Sequence, residues 1–125
     1  MRTIKFRGRD FAGLWYIGDL VHNNDEDDDL LIRQGCLSTY IENETVGQFT
    51  GITDKNGKDI YEGDIIQSFF TKRCYVVFWS DTELSFMYKN PKSSNVFALS
   101  KPDLTMYSIV GNIHDNPELL KGGKE

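Results

Sequence analysis

The chain has 125 residues, enough for one domain and too few to supply two independent cores with ease. Its formal net charge of −5 argues against a broad electrostatic grip on nucleic acid, where many phosphates must be neutralised. Eight Phe, six Tyr and two Trp tilt the composition towards pleated strands, and no run approaches the roughly 20 apolar residues of a membrane helix.

In chain order, Thr3 to Arg7 alternates apolar Ile4 and Phe6 with Lys5 and Arg7, the period of a half-buried strand. Asp10 to Gly13 reads as a turn. Leu14 to Ile17 predicts a second strand closed by Gly18-Asp19, with Leu20 to His22 continuing the pairing. An acidic loop over 23–29 interrupts, Leu30 to Ile32 resumes a strand, and Tyr40-Ile41 is a weaker one. Gln48 to Ile52 is extended and leads into Asp54-Lys55-Asn56-Gly57, with Lys58 to Tyr61 returning. Asn-Gly between apolar strands predicts a two-residue type I′ hairpin with φ > 0 at both Asn56 and Gly57.

Glu62-Gly63-Asp64 makes another corner before a strand over Ile65 to Phe70, then Cys74 to Trp79, then Leu84 to Tyr88. Asn90 to Asn95 is a loop by composition, and Val96 to Leu99 is ambiguous between strand and short helix. Pro102 to Leu104 can open a helical turn, Tyr107 to Ile113 is a last strand, Asn116 to Leu120 a short capped helix, and 121–125 a frayed tail. Apolar residues never recur at helical spacing over three turns, and neither repeat nor linker is present. Many short strands with regular turn signals predict a single mostly β domain over 1–125, either a barrel or a sandwich, with helices as accessories.

Cys36 and Cys74 form no CxxC and have no neighbouring His. Met1-Arg2-Thr3 runs straight into Ile4-Lys5-Phe6 without an apolar leader, so the thiols read as reduced and the protein as cytoplasmic, away from any membrane.

The order of the turns carries a resemblance. Ile4-Lys5-Phe6-Arg7-Gly8 is followed by Trp15-Tyr16-Ile17-Gly18-Asp19-Leu20, then by Glu44 to Gly51 and by Asp54 to Ile65. The chain closes with Ile109-Val110-Gly111-Asn112-Ile113 and Asn116 to Leu120. In that order these stretches resemble the YopX family of phage and prophage proteins, most specifically from Thr50 to Ile65. The resemblance implies a mostly β fold, a small barrel-like antiparallel domain with short helical additions, together with a tendency to form homo-oligomers and a phage or mobile-element setting in bacteria. It supplies no biochemical activity, cofactor or catalytic residue. It departs at Asn43, where related sequences often carry Pro, and in the acidic run at 25–29.

The residues that mark the family are those that shape backbone: Gly51, Asp54, Asn56, Gly57, Tyr61, Glu62, Gly63, Asp64, Gly111 and Asn112. Glu62 and Asp64 invite a general acid–base pairing, but that role needs environments that push two pKa values apart. Beside a Gly corner, Asp64 is better read as a cap for backbone N–H groups. The run Asp25 to Asp29 lacks the alternating ligands and central Gly of a calcium loop and reads as a solvated hairpin tip. His22 and His114 have no Cys or Asp at ligand spacing, so no metal or cofactor is assigned.

Two surfaces remain. Tyr75, Val76, Val77, Phe78 and Trp79 form a strand apolar on both faces, with Tyr75, Val77 and Trp79 on one and Val76 and Phe78 on the other. A barrel hides one face only, so this strand or its sheet neighbours is expected at a subunit contact. Lys5, Arg7 and Arg9 share a strand face near Trp15 and Tyr16, a basic and aromatic pattern that suits single-stranded nucleic acid. The leading functional expectation is a non-enzymatic, phage-derived interaction or scaffold protein that binds itself and, in addition, a host or phage protein. Nucleic-acid binding through the basic strand stands second, and a hydrolase whose site the sequence does not mark stands third.

Overall fold

The computed structural model describes residues 3–23, 27–100 and 106–120. Eleven strands account for most of them: β1 (Phe6–Arg9), β2 (Trp15–His22), β3 (Leu30–Gln34), β4 (Leu37–Ile41), β5 (Gly47–Thr53), β6 (Asp59–Tyr61), β7 (Asp64–Ser68), β8 (Cys74–Ser80), β9 (Ser85–Lys89), β10 (Val96–Ala98) and β11 (Tyr107–Asn112). The helical additions are single 3-10 turns at Asn43–Thr45 and Pro117–Leu120, and no α-helix occurs among the described residues. The helical turn read at Pro102 to Leu104, the frayed tail at 121–125, and Asp25 and Glu26 of the acidic run lie outside the described residues.

The chain divides into two compact units, Met1–Phe49 and Thr50–Glu125, with the division inside strand β5 rather than in a linker. In the first unit the antiparallel order is β4-β3-β2-β1-β5. Strand β2 does not stop at Gly18-Asp19 as its sequence suggests. Its first half pairs with β1, with Gly18 opposite Phe6, and its second half pairs with β3 from Asp19 opposite Arg33. The Gly-Asp pair therefore marks where the pairing changes sides. Asn43 bridges this unit's acidic loop from both ends of its amide, donating to the Asp28 carbonyl and accepting from the Leu30 amide, each at 3.2 Å. A proline at that position has no side-chain polar group with which to do so.

In the second unit five strands run in the order β10-β9-β8-β7-β11. Register places Trp79 opposite Phe86, Val77 opposite Tyr88, and Tyr88 opposite Phe97, so one face of this sheet is rich in aromatic rings. The centre of that face is the core: Ile60 packs with Ile66, Val77 and Tyr88, all at most 5 % exposed, with Ile52 and Ile109 against them. The other face carries Ile65, Val76, Phe78 and Met87, and the 3-10 turn at Pro117–Leu120 lies near β8.

The strands lie in two antiparallel sheets that do not close, which corrects the barrel expectation. Closure removes edges, whereas β4 ends one sheet and β10 and β11 end the other. The ambiguous segment at 96–99 is the edge strand β10. The strand read as Ile65 to Phe70 ends at Ser68, whose hydroxyl accepts the amides of Phe70 and Thr71 and turns the chain there.

Candidate functional site

The family-motif block is a set of backbone clamps. The turn at 54–57 is not type I′: Gly57 has φ +82°, but Asn56 is not among the residues of positive φ. Instead the Gly57 amide donates to the Asp54 carbonyl and the Asp54 amide to the Lys58 carbonyl. This is a three-residue loop, a type I turn followed by one left-handed residue. Asp54 explains the choice. Its Oδ1 accepts the amides of Asn56 at 2.8 Å and Lys58 at 2.9 Å, and its Oδ2 accepts the amide of Ile109 at 2.9 Å. One buried carboxylate thus closes the hairpin and ties it to β11, a link that local spacing cannot reveal.

The next corner works similarly. Asp64, 2 % exposed, accepts the Tyr61 amide on Oδ2 at 2.7 Å, while Gly63 donates its amide to the Val77 carbonyl. Glu62 is only half-buried beside it. Gly51 lies in β5 with positive φ and open space around it. Gly111 is needed for close approach: a Cβ there would stand 2.5 Å from the Asn116 Oδ1. That oxygen accepts the Asn112 amide instead of capping its own turn, and the Asn112 Oδ1 accepts the amides of His114 and Asp115. These side chains spend their polar atoms on the main chain.

Lys5, Arg7 and Arg9 do share a face of the first unit with Trp15. The Arg7 guanidinium lies 4.8 Å from the Trp15 ring centre, Arg9 lies 6.0 Å from it, and Lys5 stands 4.8 Å over Phe49. Arg9 also pairs with Glu42 at 3.4 Å. Tyr16 points elsewhere and donates to Asp10 at 3.1 Å. Asp10 accepts the Leu14 and Ala12 amides as well; the Leu14 bond is the largest influence holding its carboxyl below the ordinary value, opposed by burial. His22 is exposed at the end of β2 and His114 is half-buried after β11. Among the described residues no group of His, Cys, Asp and Glu converges as metal ligands, and neither cysteine is in a disulfide. No helix among them is long and apolar enough to cross a membrane.

Of the five residues from Tyr75 to Trp79, Val77 is buried, Tyr75, Val76 and Phe78 are half-buried, and only Trp79 is exposed, at 41 %. The alternation of faces is as the strand period requires, but the core of the unit covers the middle of the aromatic face and leaves its two ends. At one end Trp79 meets Phe86 edge to face at 5.0 Å, and Leu84 in the connecting loop is largely exposed. At the other end Tyr75, Tyr88, Phe97 and Tyr107 form an aromatic cluster with ring centres 5.4–6.2 Å apart.

Beside that cluster opens a hollow of about 250 Å³ lined by Tyr75, Phe97, Arg73, Lys92, Ser93 and Asn95 together with Asn90. Buried Asn90 fixes the loop that walls it, donating to the Cys74 carbonyl at 3.1 Å and accepting the Lys92 amide at 2.8 Å. Burial pushes the Tyr75 phenol above its ordinary value and Tyr107 adds to this, while the Arg73 guanidinium opposes it. Sequence reasoning missed this site. Its only signal was a polar loop beside an aromatic strand.

A family model described as YopX protein matches residues 9–121. A crystal structure of protein EF1440 from Enterococcus faecalis is similar in fold, with a TM-score of 0.63 and 21 % identity, over 96 % of this chain and 99 % of that one. No curated protein matches the chain.

Proposed function

The chain belongs to the YopX family, and on that premise we propose that it is a non-enzymatic interaction protein of a phage or prophage, acting in the cytoplasm as a homo-oligomer. The observation that carries this reading is the uncovered end of the aromatic face, where Trp79, Phe86 and Leu84 stand at the β8–β9 hairpin. The Trp79 indole donates to Asp81 at 3.0 Å, so the ring is held in place and little freedom is lost on docking. Tryptophan in such a setting is a frequent anchor of protein contacts. A second copy presents the same patch, and isologous pairing about a two-fold axis is the simplest closed solution. A host or phage protein is then bound by the assembly. The motif carboxylates support the non-enzymatic part of the reading, because Asp54 and Asp64 hold backbone amides.

Light scattering after gel filtration at micromolar concentration tests it. The expected mass is at least twice the 14.4 kDa of one chain, and Trp79→Ser with Leu84→Ser should return it to one chain with the fold intact. A wild-type protein that elutes at one chain mass contradicts the proposal.

A further inference from the structure

The hollow at the other end of the aromatic face is chemically unlike the Trp79 end. Among the described residues its lining combines aromatic rings with two cations and no carboxylate, in a chain whose net charge is −5. Phe97 stacks on Tyr88 at 5.4 Å and 30°, which backs the ring, yet it remains 43 % exposed. Tyr75 meets Phe97 edge to face at 6.2 Å and lines the hollow beside it. The wall is held in shape before any ligand arrives: the Ser93 amide donates to the Asn90 carbonyl at 3.0 Å, and the Asn95 amide to the Ser93 hydroxyl at 3.1 Å.

We propose that this hollow binds a nucleoside monophosphate, free or at the end of a short strand, with the base against Phe97 and the phosphate between Arg73 and Lys92. A planar base is matched by an exposed aromatic ring, which stacks on any base through its π-face. A phosphate is matched by a guanidinium, which offers paired donors, and by an ammonium acting as a point charge. Asn95 and Ser93, which also line the hollow, supply amide and hydroxyl groups for a base edge or a ribose hydroxyl. Size sets the limit. At about 250 Å³ the hollow falls just below the roughly 300–1,000 Å³ of pockets for drug-sized ligands, which suits one nucleotide and not a dinucleotide. The negative charge of the chain as a whole disfavours a long polyanion laid across its surface. Recognition is therefore local, and it does not depend on self-association through Trp79.

Amide chemical-shift titration of the full chain with uridine and adenosine monophosphate, at about 50 mM salt, tests the site. Saturable shifts confined to residues 90–97 and their strand neighbours are expected, with inorganic phosphate binding the same place more weakly. Arg73→Gln or Lys92→Gln should weaken nucleotide and phosphate alike, by about tenfold each. Phe97→Leu, which keeps an apolar side chain at the edge strand, should weaken the nucleotides and leave phosphate unchanged. A tetranucleotide bound more tightly with a 5′-phosphate than without one identifies a strand end as the natural source; equal binding of mononucleotide and tetranucleotide identifies the free nucleotide. Absence of saturation by about 5 mM, shifts centred elsewhere, or affinities unmoved by Arg73→Gln and Lys92→Gln would overturn the assignment. Should Phe97→Leu fail to fold, the two charge variants decide alone.

Discussion

Residues 54–64 and residues 90–97 are two loop-bearing stretches of the same unit, and their side chains are used in opposite directions. In the first, Asp54 and Asp64 turn inward and accept main-chain amides, and the glycines permit the turns. In the second, only Asn90 turns inward, and Lys92, Ser93, Asn95 and Phe97 are exposed around a hollow. The stretch most recognisable as sequence is thus the one committed to holding the backbone, while the plain polar loop is the one with chemistry to offer a ligand. A motif built of Asp, Asn and Gly reports what the main chain requires at a turn. A binding surface leaves a weaker mark, because its residue types are those of any surface.

The largest effect is expected at Asp54. Asp54→Ala removes an acceptor from three amides at a site 5 % exposed, and the expected loss is about 3–5 kcal/mol, read from denaturant midpoints. A loss under about 1 kcal/mol would mean that water replaces the carboxylate freely and that the clamp is incidental.

A smaller effect is expected at Gly57, and it separates conformation from packing. A Cβ there meets nothing within 4 Å, so the only cost of a side chain is φ +82°. Gly57→Val should therefore lose about 1–3 kcal/mol, and Gly57→Asn clearly less, since Asn tolerates the left-handed region. Equal losses for Val and Asn would point to a clash that the geometry does not contain.

The smallest effect comes from the first unit, where Asp10 uses the same device outside the densest part of the motif. Its carboxyl is held low first by the Leu14 amide, with burial opposing, and further by Ala12, Tyr16 and Gly13. The folded state therefore binds its proton less readily than the unfolded state does. The stability it contributes is present above the unfolded value, 3.8, and is lost as pH falls through the lower folded value. Wild type should exceed Asp10→Asn in stability near neutral pH, and the two curves should converge on acidification. Curves that diverge towards low pH would contradict the assignment.

Much of the fold was legible because strands leave a period of two and turns leave Gly, Asn and Asp. Strand existence from Phe6 to Asn112 followed from those marks, and so did the alternation that sets Tyr75, Val77 and Trp79 on one face. What escaped was everything set by long-range partners. The reach of Asp54 to Ile109 joins residues 55 apart in sequence, and no local pattern encodes it. The three-residue loop at 55–57 was misread because Asn-Gly fits two turn types, and the second amide accepted by the Asp54 Oδ1, from Lys58, goes with the longer one. Short strands with turn signals suit a barrel and a sandwich alike, and the resemblance favoured the barrel, yet closure depends on which edges meet. The hollow needed Arg73 and Lys92 brought together from either end of the β8–β9 hairpin, and residues 19 apart give no spacing signal.

Amide hydrogen exchange on wild type and Asp54→Ala under native conditions decides whether the motif carboxylates serve the backbone. Protection at Asn56, Lys58 and Ile109 should fall together in the variant, beyond any general loss of stability, while the amides of Lys92 and Asn95 in the 90–97 loop keep their wild-type ratio to the β8–β9 ladder. Protection at those three amides that changes no more than the rest of the unit would contradict it.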